Sequence, residues 1–305
     1  MLFVESLNIF YRQCLLRSLS DRTIENYKNY LLELNKYLKK NDIEQVEDIR
    51  PQTIEDFFIF KKNTCSPCTL KYYFIALSAC FKCLVKNDII PMSPMEKMER
   101  PKVPKNIIQS FSKEEVQTIL SMYDKSSFIG MRNYTIMCLL FSAGIRRAEL
   151  LRLKLIDVNI DIGLLTVLGK GNKYRNVPVS TVLKKVLKIY LKKREEYLRT
   201  NRLLDSKYLI INNQGQGFTA SGLGNIFHKM KQDKRQWTTR VSAHTFRHTF
   251  AKFYLLNGGD VFSLQKLLGH EDLESTKIYI DLNEQEVKAQ NERYNPLDNT
   301  KWQYY

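Results

Sequence analysis

Apolar residues recur at three- and four-residue intervals in four blocks ahead of residue 90: roughly Leu2–Leu16, Asp21–Lys39, Gln52–Lys62 and Cys68–Asn87. That spacing places them on one face of a helix and predicts four helices. Ser20 stands where the second would take its N-cap, and Pro51 suits the first turn of the third. The fourth is the most apolar, with Tyr72, Tyr73, Ile75, Ala76, Ala79, Cys80, Cys83 and Leu84, and reads as the centre of a small bundle. The segment from Pro91 to Pro104 then holds four of the eight prolines. Proline removes amide donors and pushes its predecessor out of the helical region, which predicts an extended linker. Helical periodicity resumes at Lys113–Met122 behind Ser112, and continues through Arg132–Ser142 and Arg147–Leu153. Two β-rich runs, Leu164–Leu168 and Arg175–Val179, flank the turn Gly169-Lys-Gly-Asn-Lys173 and predict a hairpin. Further helices are expected at Val182–Leu198, Ala220–Lys231, His244–Asn257, Val261–Leu268 and Glu284–Arg293. The pattern is mainly α with a small antiparallel β-sheet. It divides into an N-terminal helical domain (1–90), a linker (91–107), an α+β domain (108–293) and a tail (294–305).

A chain of 305 residues is too long for one compact core, in agreement with that division. With 44% hydrophobic and 26% charged residues it is an ordinary globular chain, and wholesale disorder is excluded. Lys and Arg number 48 against 32 Asp and Glu, a formal charge of +16 that points to a polyanionic partner, nucleic acid before an anionic membrane face. Residues 1–105 carry 17 basic and 13 acidic side chains, residues 106–305 carry 31 and 19, so most of the positive field belongs to the second domain. The opening Met1-Leu-Phe-Val-Glu5 lacks the basic start of a signal peptide, and no run of 18 apolar residues occurs. A cytoplasmic protein without membrane contact is expected. Six cysteines are too sparse for a disulfide scaffold. Cys65, Cys68, Cys80 and Cys83 make a C-x₂-C-x₁₁-C-x₂-C pattern like a zinc site, but the middle spacing is short and the second pair lies in an apolar helix, so no metal is expected.

Candidate chemistry gathers in the second domain. His244 and His248 stand at i and i+4, but Thr245 occupies the place of a metalloprotease glutamate and Arg247 would set a cation beside the metal. Arg247 leaves the same helical stripe as His244, and a guanidinium beside an imidazole suits a phosphate. Arg146 follows a glycine break, Lys170 sits between two glycines, and His270 follows Gly269 with Tyr279 nine residues on.

The ordered series Gly144-Ile-Arg146, Gly169-Lys170-Gly-Asn-Lys173, His244-Thr-Phe-Arg247-His248, Leu268-Gly-His270 and Tyr279 resembles the catalytic signature of the tyrosine recombinases, the integrase family, and in particular its short Xer-type members. Residues 1–100 resemble that family's helical core-binding, SAM-like domain, including Ser20, Thr23, Tyr27 and Ser93-Pro94. The resemblance implies an N-terminal DNA-clamp domain joined to a C-terminal α+β catalytic domain. It implies a site-specific recombinase that works through a 3′-phosphotyrosine and a Holliday junction, with a type IB topoisomerase-like nicking-closing enzyme and a non-catalytic DNA-binding regulator as alternatives. Tyr279 would be the nucleophile, Arg146 and Arg247 the phosphate clamp and Lys170 the general acid. His244 and His270 would bind the phosphate or move protons. Phosphate clamping by guanidinium agrees with the charge that such a transition state spreads over its oxygens. No cofactor is implied, since no paired carboxylates accompany the motifs. Double-stranded DNA and three further copies of the chain are the implied partners, with a second recombinase or accessory protein left open. Lys71 and Tyr72 on the fourth helix, Lys173 and Arg175 by the hairpin, and Lys231, Lys234, Arg235 and Arg240 before His244 are the expected DNA contacts. Glu149 is expected to orient Arg146 or cap, and Arg147 to be idle or to touch phosphate. His248 is expected to pack, and the tail after Tyr279 is a candidate contact with a neighbouring subunit.

Overall fold

The computed structural model describes residues 1–104, 109–169, 172–233, 237–269 and 284–294. The chain divides into two units, Met1–Asn106 and Ile107–Tyr305. The first is a bundle of α1 (Phe3–Leu16), α2 (Asp21–Lys40), α3 (Pro51–Lys62) and α4 (Pro67–Lys86). Each helix begins where its sequence allows: the Ser20 and Ser66 hydroxyls accept from the amides of Thr23 and Thr69, both at 3.2 Å, and prolines open α3 and α4. Phe3, Leu7 and Phe10 of α1 meet Leu31, Leu34 and Leu38 of α2, with Ile54, Phe57, Leu77, Phe81 and Leu84 closing the core. Burial of each such side chain stabilises by roughly 1.5–3 kcal/mol. Among the described residues α4 alone is long and apolar enough to cross a membrane by composition, and its Ala76, Leu77, Cys80, Phe81 and Leu84 lie wholly inside the bundle.

Two expectations meet the structure differently here. The proline segment is not extended from its start. Ile90 and Met95 are buried in the bundle core, and the Met95 amide donates to Ser93 Oγ at 3.2 Å, so the chain turns against the helices before the irregular stretch from Met98 to Pro104. Apolar anchors win over the proline bias where there is a core to join. The two cysteine pairs, moreover, stand at opposite ends of one helix. Cys68 and Cys80 are twelve residues apart on α4, about 18 Å of rise. Four ligands about 2.3 Å from one zinc cannot bridge that distance.

The second unit contains α5 (Lys113–Ser121), α6 (Phe128–Ala143), α7 (Arg147–Arg152), α8 (Thr181–Thr200), α9 (Ala220–Gln232), α10 (Ala243–Leu256), α11 (Val261–Leu268) and α12 (Glu284–Tyr294). The expected hairpin is the larger part of a three-stranded antiparallel sheet in the order β1 (Val158–Asn159), β2 (Leu164–Leu168), β3 (Tyr174–Pro178). Leu165 pairs with Val177 and Val167 with Arg175. Leu165, Val167 and Val177 point into the core, while Thr166 bonds Asn176 across the outer face at 3.2 Å. α6 is apolar on nearly every side and is the central helix, with Ile136, Met137, Leu139 and Leu140 fully buried. Leu183, Leu187 and Tyr190 of α8 and Phe246 of α10 share its core. The end of α6 and the start of α10 are thereby fixed in one rigid frame.

Candidate active site

α6 ends at Gly144, whose φ of 58° is left-handed. A Cβ there would lie 2.4 Å from Phe250, so glycine alone fits the corner. The corner buries Ile145 and delivers Arg146 in extended conformation at the head of α7. Glu149, one turn on and 5% exposed, turns back: its Oε2 accepts from the Arg146 amide and its Oε1 from Arg146 Nη1, both at 2.8 Å. The Arg146 side chain remains 32% exposed.

Arg247 comes from α10, which Ser242 caps by accepting from the Thr245 amide at 3.2 Å. It is 3% exposed and spans two separate corners: Nη1 donates to the carbonyl of Gly144 and Nη2 to that of Leu268, each at 2.7 Å. Arg146 Nη2 reaches the next carbonyl, Gly269, at 3.4 Å. The two arginines, a hundred residues apart in sequence, thus both hold the turn at the end of α11.

His244 lies one turn before Arg247, at the protein surface. Partial burial of the ring, then the guanidiniums of Arg247, Arg147, Arg146 and Arg240, hold its pKa below the ordinary 6.5. At neutral pH the imidazole is therefore uncharged and able to accept a proton. The same four cations mark the place as one that attracts an anion.

Arg175, expected on DNA, is otherwise engaged. From β3 its Nη1 and Nη2 donate to Glu149 Oε1 at 2.9 Å and Oε2 at 2.8 Å, and its Nε donates to the Leu267 carbonyl at 2.9 Å. Burial alone would raise the Glu149 carboxyl, but hydrogen bonds from Arg175 and Arg146 hold it down at about 2. Lys173 is exposed in the hairpin turn, where its carbonyl accepts from the Gly169 amide at 2.8 Å. Arg240 is exposed near His244, and His248 is half-buried. In the first unit Tyr72 is exposed and Lys71 half-buried on α4. Lys170, Lys234, Arg235, His270 and Tyr279 lie outside the described residues.

Two groups of cations escaped the sequence reading. A groove of about 520 Å³ in the first unit is lined by Arg17, Lys82, Lys86 and Arg100 together with Phe74 and Ile75. The helical spacing of Lys82 and Lys86 was a usable signal; the arrival of Arg17 and Arg100 beside them was not. In the second unit Arg152, Lys154 and Lys207 line a 370 Å³ pocket with Tyr174 and Glu149. Lys207 reaches it from some fifty residues away.

The family model described as phage integrase family matches residues 109–286, and that described as phage integrase SAM-like domain matches residues 6–100. The chain is similar to the tyrosine recombinase XerD of Listeria innocua, 28% identical over 282 residues that cover 92% of this chain and 94% of the relative. It is likewise similar to the tyrosine recombinase XerC of Bacillus subtilis, 29% identical over 289 residues, 94% and 92% of the two chains. In fold it resembles the XerH site-specific recombinase in a post-cleavage complex with a palindromic difH substrate. The TM-score is 0.71 at 22% identity, covering 90% of this chain and 81% of that one.

Proposed function

This chain belongs to the phage integrase family, the tyrosine recombinases, and from that membership we propose that it cuts and rejoins DNA strands at specific sites by transesterification. The Tyr279 oxygen attacks a phosphorus of the duplex. The bond to the 5′-oxygen breaks, leaving a 3′-phosphotyrosine ester and a free 5′-hydroxyl. Phenols lose their protons near pH 10, so the reaction needs a base for the tyrosine and an acid for the leaving oxygen. Lys170 on the hairpin supplies the leaving-group proton, and His244 and His270 hydrogen-bond the phosphate or take up the phenolic proton. Because the ester retains the energy of the broken bond, attack by another strand's 5′-hydroxyl reseals the backbone without ATP.

One observation carries the reading: Arg247 Nη1 donates to the Gly144 carbonyl at 2.7 Å, which seats one guanidinium beside the corner that presents the other. Two planar cations held in place suit the two non-bridging oxygens of a phosphate in its transition state. An uncharged His244 beside them is in the form a general base requires.

DNA is gripped on both units. Lys71, Tyr72 and the Arg17–Lys82–Lys86–Arg100 groove serve the first, and Lys173, Lys234, Arg235 and Arg240 flank the catalytic centre in the second. Four protomers on two duplexes carry out the exchange through a Holliday junction, with the segment after Tyr279 reaching a neighbouring subunit. With DNA as substrate, the enzyme works in the cytoplasm. The test is a nicked duplex, from which the cleaved end diffuses away and traps the ester. Wild type forms a covalent adduct that survives denaturation, and Tyr279→Phe forms none. An adduct also made by Tyr279→Phe overturns the assignment of the nucleophile. A plasmid with paired sites that is relaxed without exchange moves the reading to a nicking-closing enzyme.

A further inference from the structure

Resting on the recombinase reading, we infer that Arg175 is a positioning residue of the catalytic centre: it neutralises Glu149 and ties the hairpin to the end of α11, leaving the charge of Arg146 for the scissile phosphate. Three observations carry this. First, the Glu149 carboxylate accepts four N–H bonds, two from Arg146 and two from Arg175, so both its oxygens are saturated. Arg146 and Glu149 alone would be a neutral pair, with the arginine's field cancelled where a phosphate must bind. A second guanidinium on the same carboxylate restores one net positive charge to the cluster. Second, the Arg175 side chain is only 13% exposed and all three of its guanidinium nitrogens donate within the protein, a poor state for contacting DNA. Third, its Nε holds the Leu267 carbonyl, next to the Leu268 and Gly269 carbonyls that Arg247 and Arg146 hold. Its stem also lies over Gly269, where a Cβ would come within 2.9 Å of Arg175 Cδ.

The arrangement joins three stretches of chain that carry the catalytic series. β3 follows Lys170 by a few residues, Glu149 orients Arg146, and the end of α11 precedes His270. An arginine is needed because only its planar fork grips both carboxylate oxygens while a third nitrogen bonds elsewhere; lysine brings the charge without the geometry.

The test compares wild type, Tyr279→Phe, Arg175→Ala, Arg175→Lys, Glu149→Gln and the Arg175→Ala/Glu149→Gln double variant. The probe is a nicked duplex carrying the site that the protein occupies in cells, mapped at base resolution. Adduct formation is followed in single turnover at saturating DNA, and affinity is measured as a function of salt. Arg175→Ala is expected to slow adduct formation at saturating DNA about 100-fold, the scale of a misplaced catalytic group. Arg175→Lys, which keeps the stem and the charge should the alanine variant not fold, falls between the two. The double variant reacts faster than Arg175→Ala, because removing the unbalanced carboxylate frees Arg146; a purely structural role would not give that rescue. A salt slope shallower by about 0.9 with an unchanged rate at saturation marks Arg175 as a phosphate contact and overturns the inference. So does a double variant no faster than Arg175→Ala. Wild type that forms no adduct overturns the recombinase reading beneath it, which is distinct from a reactive wild type matched by an equally reactive Arg175→Ala.

Discussion

Arg247 does two jobs with one guanidinium, and its variants separate them. Buried and bonded to the carbonyls of Gly144 and Leu268, it stitches the frame; in the proposed reaction it also pairs with Arg146 on the phosphate. Arg247→Ala is expected to lower the adduct rate about 10²–10³-fold, as the loss of an oxyanion donor does. It also destabilises the second unit by about 1–3 kcal/mol for each carbonyl left unpaired. Single-turnover rates and urea midpoints measure the two effects separately. Glu149 makes stability depend on pH in a known direction. Its folded pKa of about 2 lies below the ordinary 4.5, so the unfolded chain binds its proton first on acidification. The stabilisation, on the order of 3 kcal/mol, is complete above pH 4.5 and is lost as pH falls toward 2. The stability gap between wild type and Glu149→Gln should therefore be constant from pH 5 to 8 and close below pH 4. His244, with its pKa below 6.5, should give no acid limb in the rate at pH 7. At this scale the sequence singled out Arg146, His244 and Arg247 as candidates, and the structure sets the two arginines close enough to act on the histidine. The sequence misplaced Arg175, because an arginine beside a glycine-rich turn looks exposed until Glu149, twenty-six residues earlier, is found beneath it.

The elements deliver these side chains through their ends. α6 stops at a left-handed glycine, Arg146 is the N-cap of α7, and α10 carries His244 and Arg247 in its first turns. Gly144→Ala must adopt φ near 58° and push Phe250 aside. Left-handed strain alone costs about 1–2 kcal/mol. With the clash added, the melting temperature should fall by roughly 4–8 °C and the adduct rate with it, since Arg146 loses its seat. Unchanged melting and rate would mean that the corner is soft and does not set Arg146. Helix periodicity placed the elements close to where they occur. It missed the first turn of α6, where Gly130 breaks the pattern although Ser127 caps it, and it missed β1, whose two residues are too few to show alternation.

Across the whole molecule, charge is the property that matters for DNA. With an excess of +16, binding should weaken steeply between about 50 and 200 mM salt, as each neutralised phosphate releases counterions. Lys82→Ala, Lys86→Ala and Arg100→Ala should each make the slope of log affinity against log salt shallower by about 0.9 while leaving the rate at saturation intact. A flat salt response, or variants with the parent slope, would remove the first-unit groove from the DNA surface. Each unit has its own core, Phe57, Leu77 and Phe81 in one and Leu139, Tyr190 and Phe246 in the other. The proline segment packs on the first unit through Met95, next to Ile90 that precedes it, and is irregular from Met98 to Pro104.

Local spacing by itself determined which helices form and where they break. These follow from interactions within a few residues: caps, apolar stripes, glycine corners and proline breaks. Tertiary structure decided which charges face each other. Glu149 sits between Arg146 and Arg175, Arg247 holds two distant carbonyls, and partial burial followed by four guanidiniums lowers the pKa of His244. Burial sets the strength of those pairings, and burial belongs to the packed chain, because the partners meet only when α6, α10, α11 and β3 close on one core.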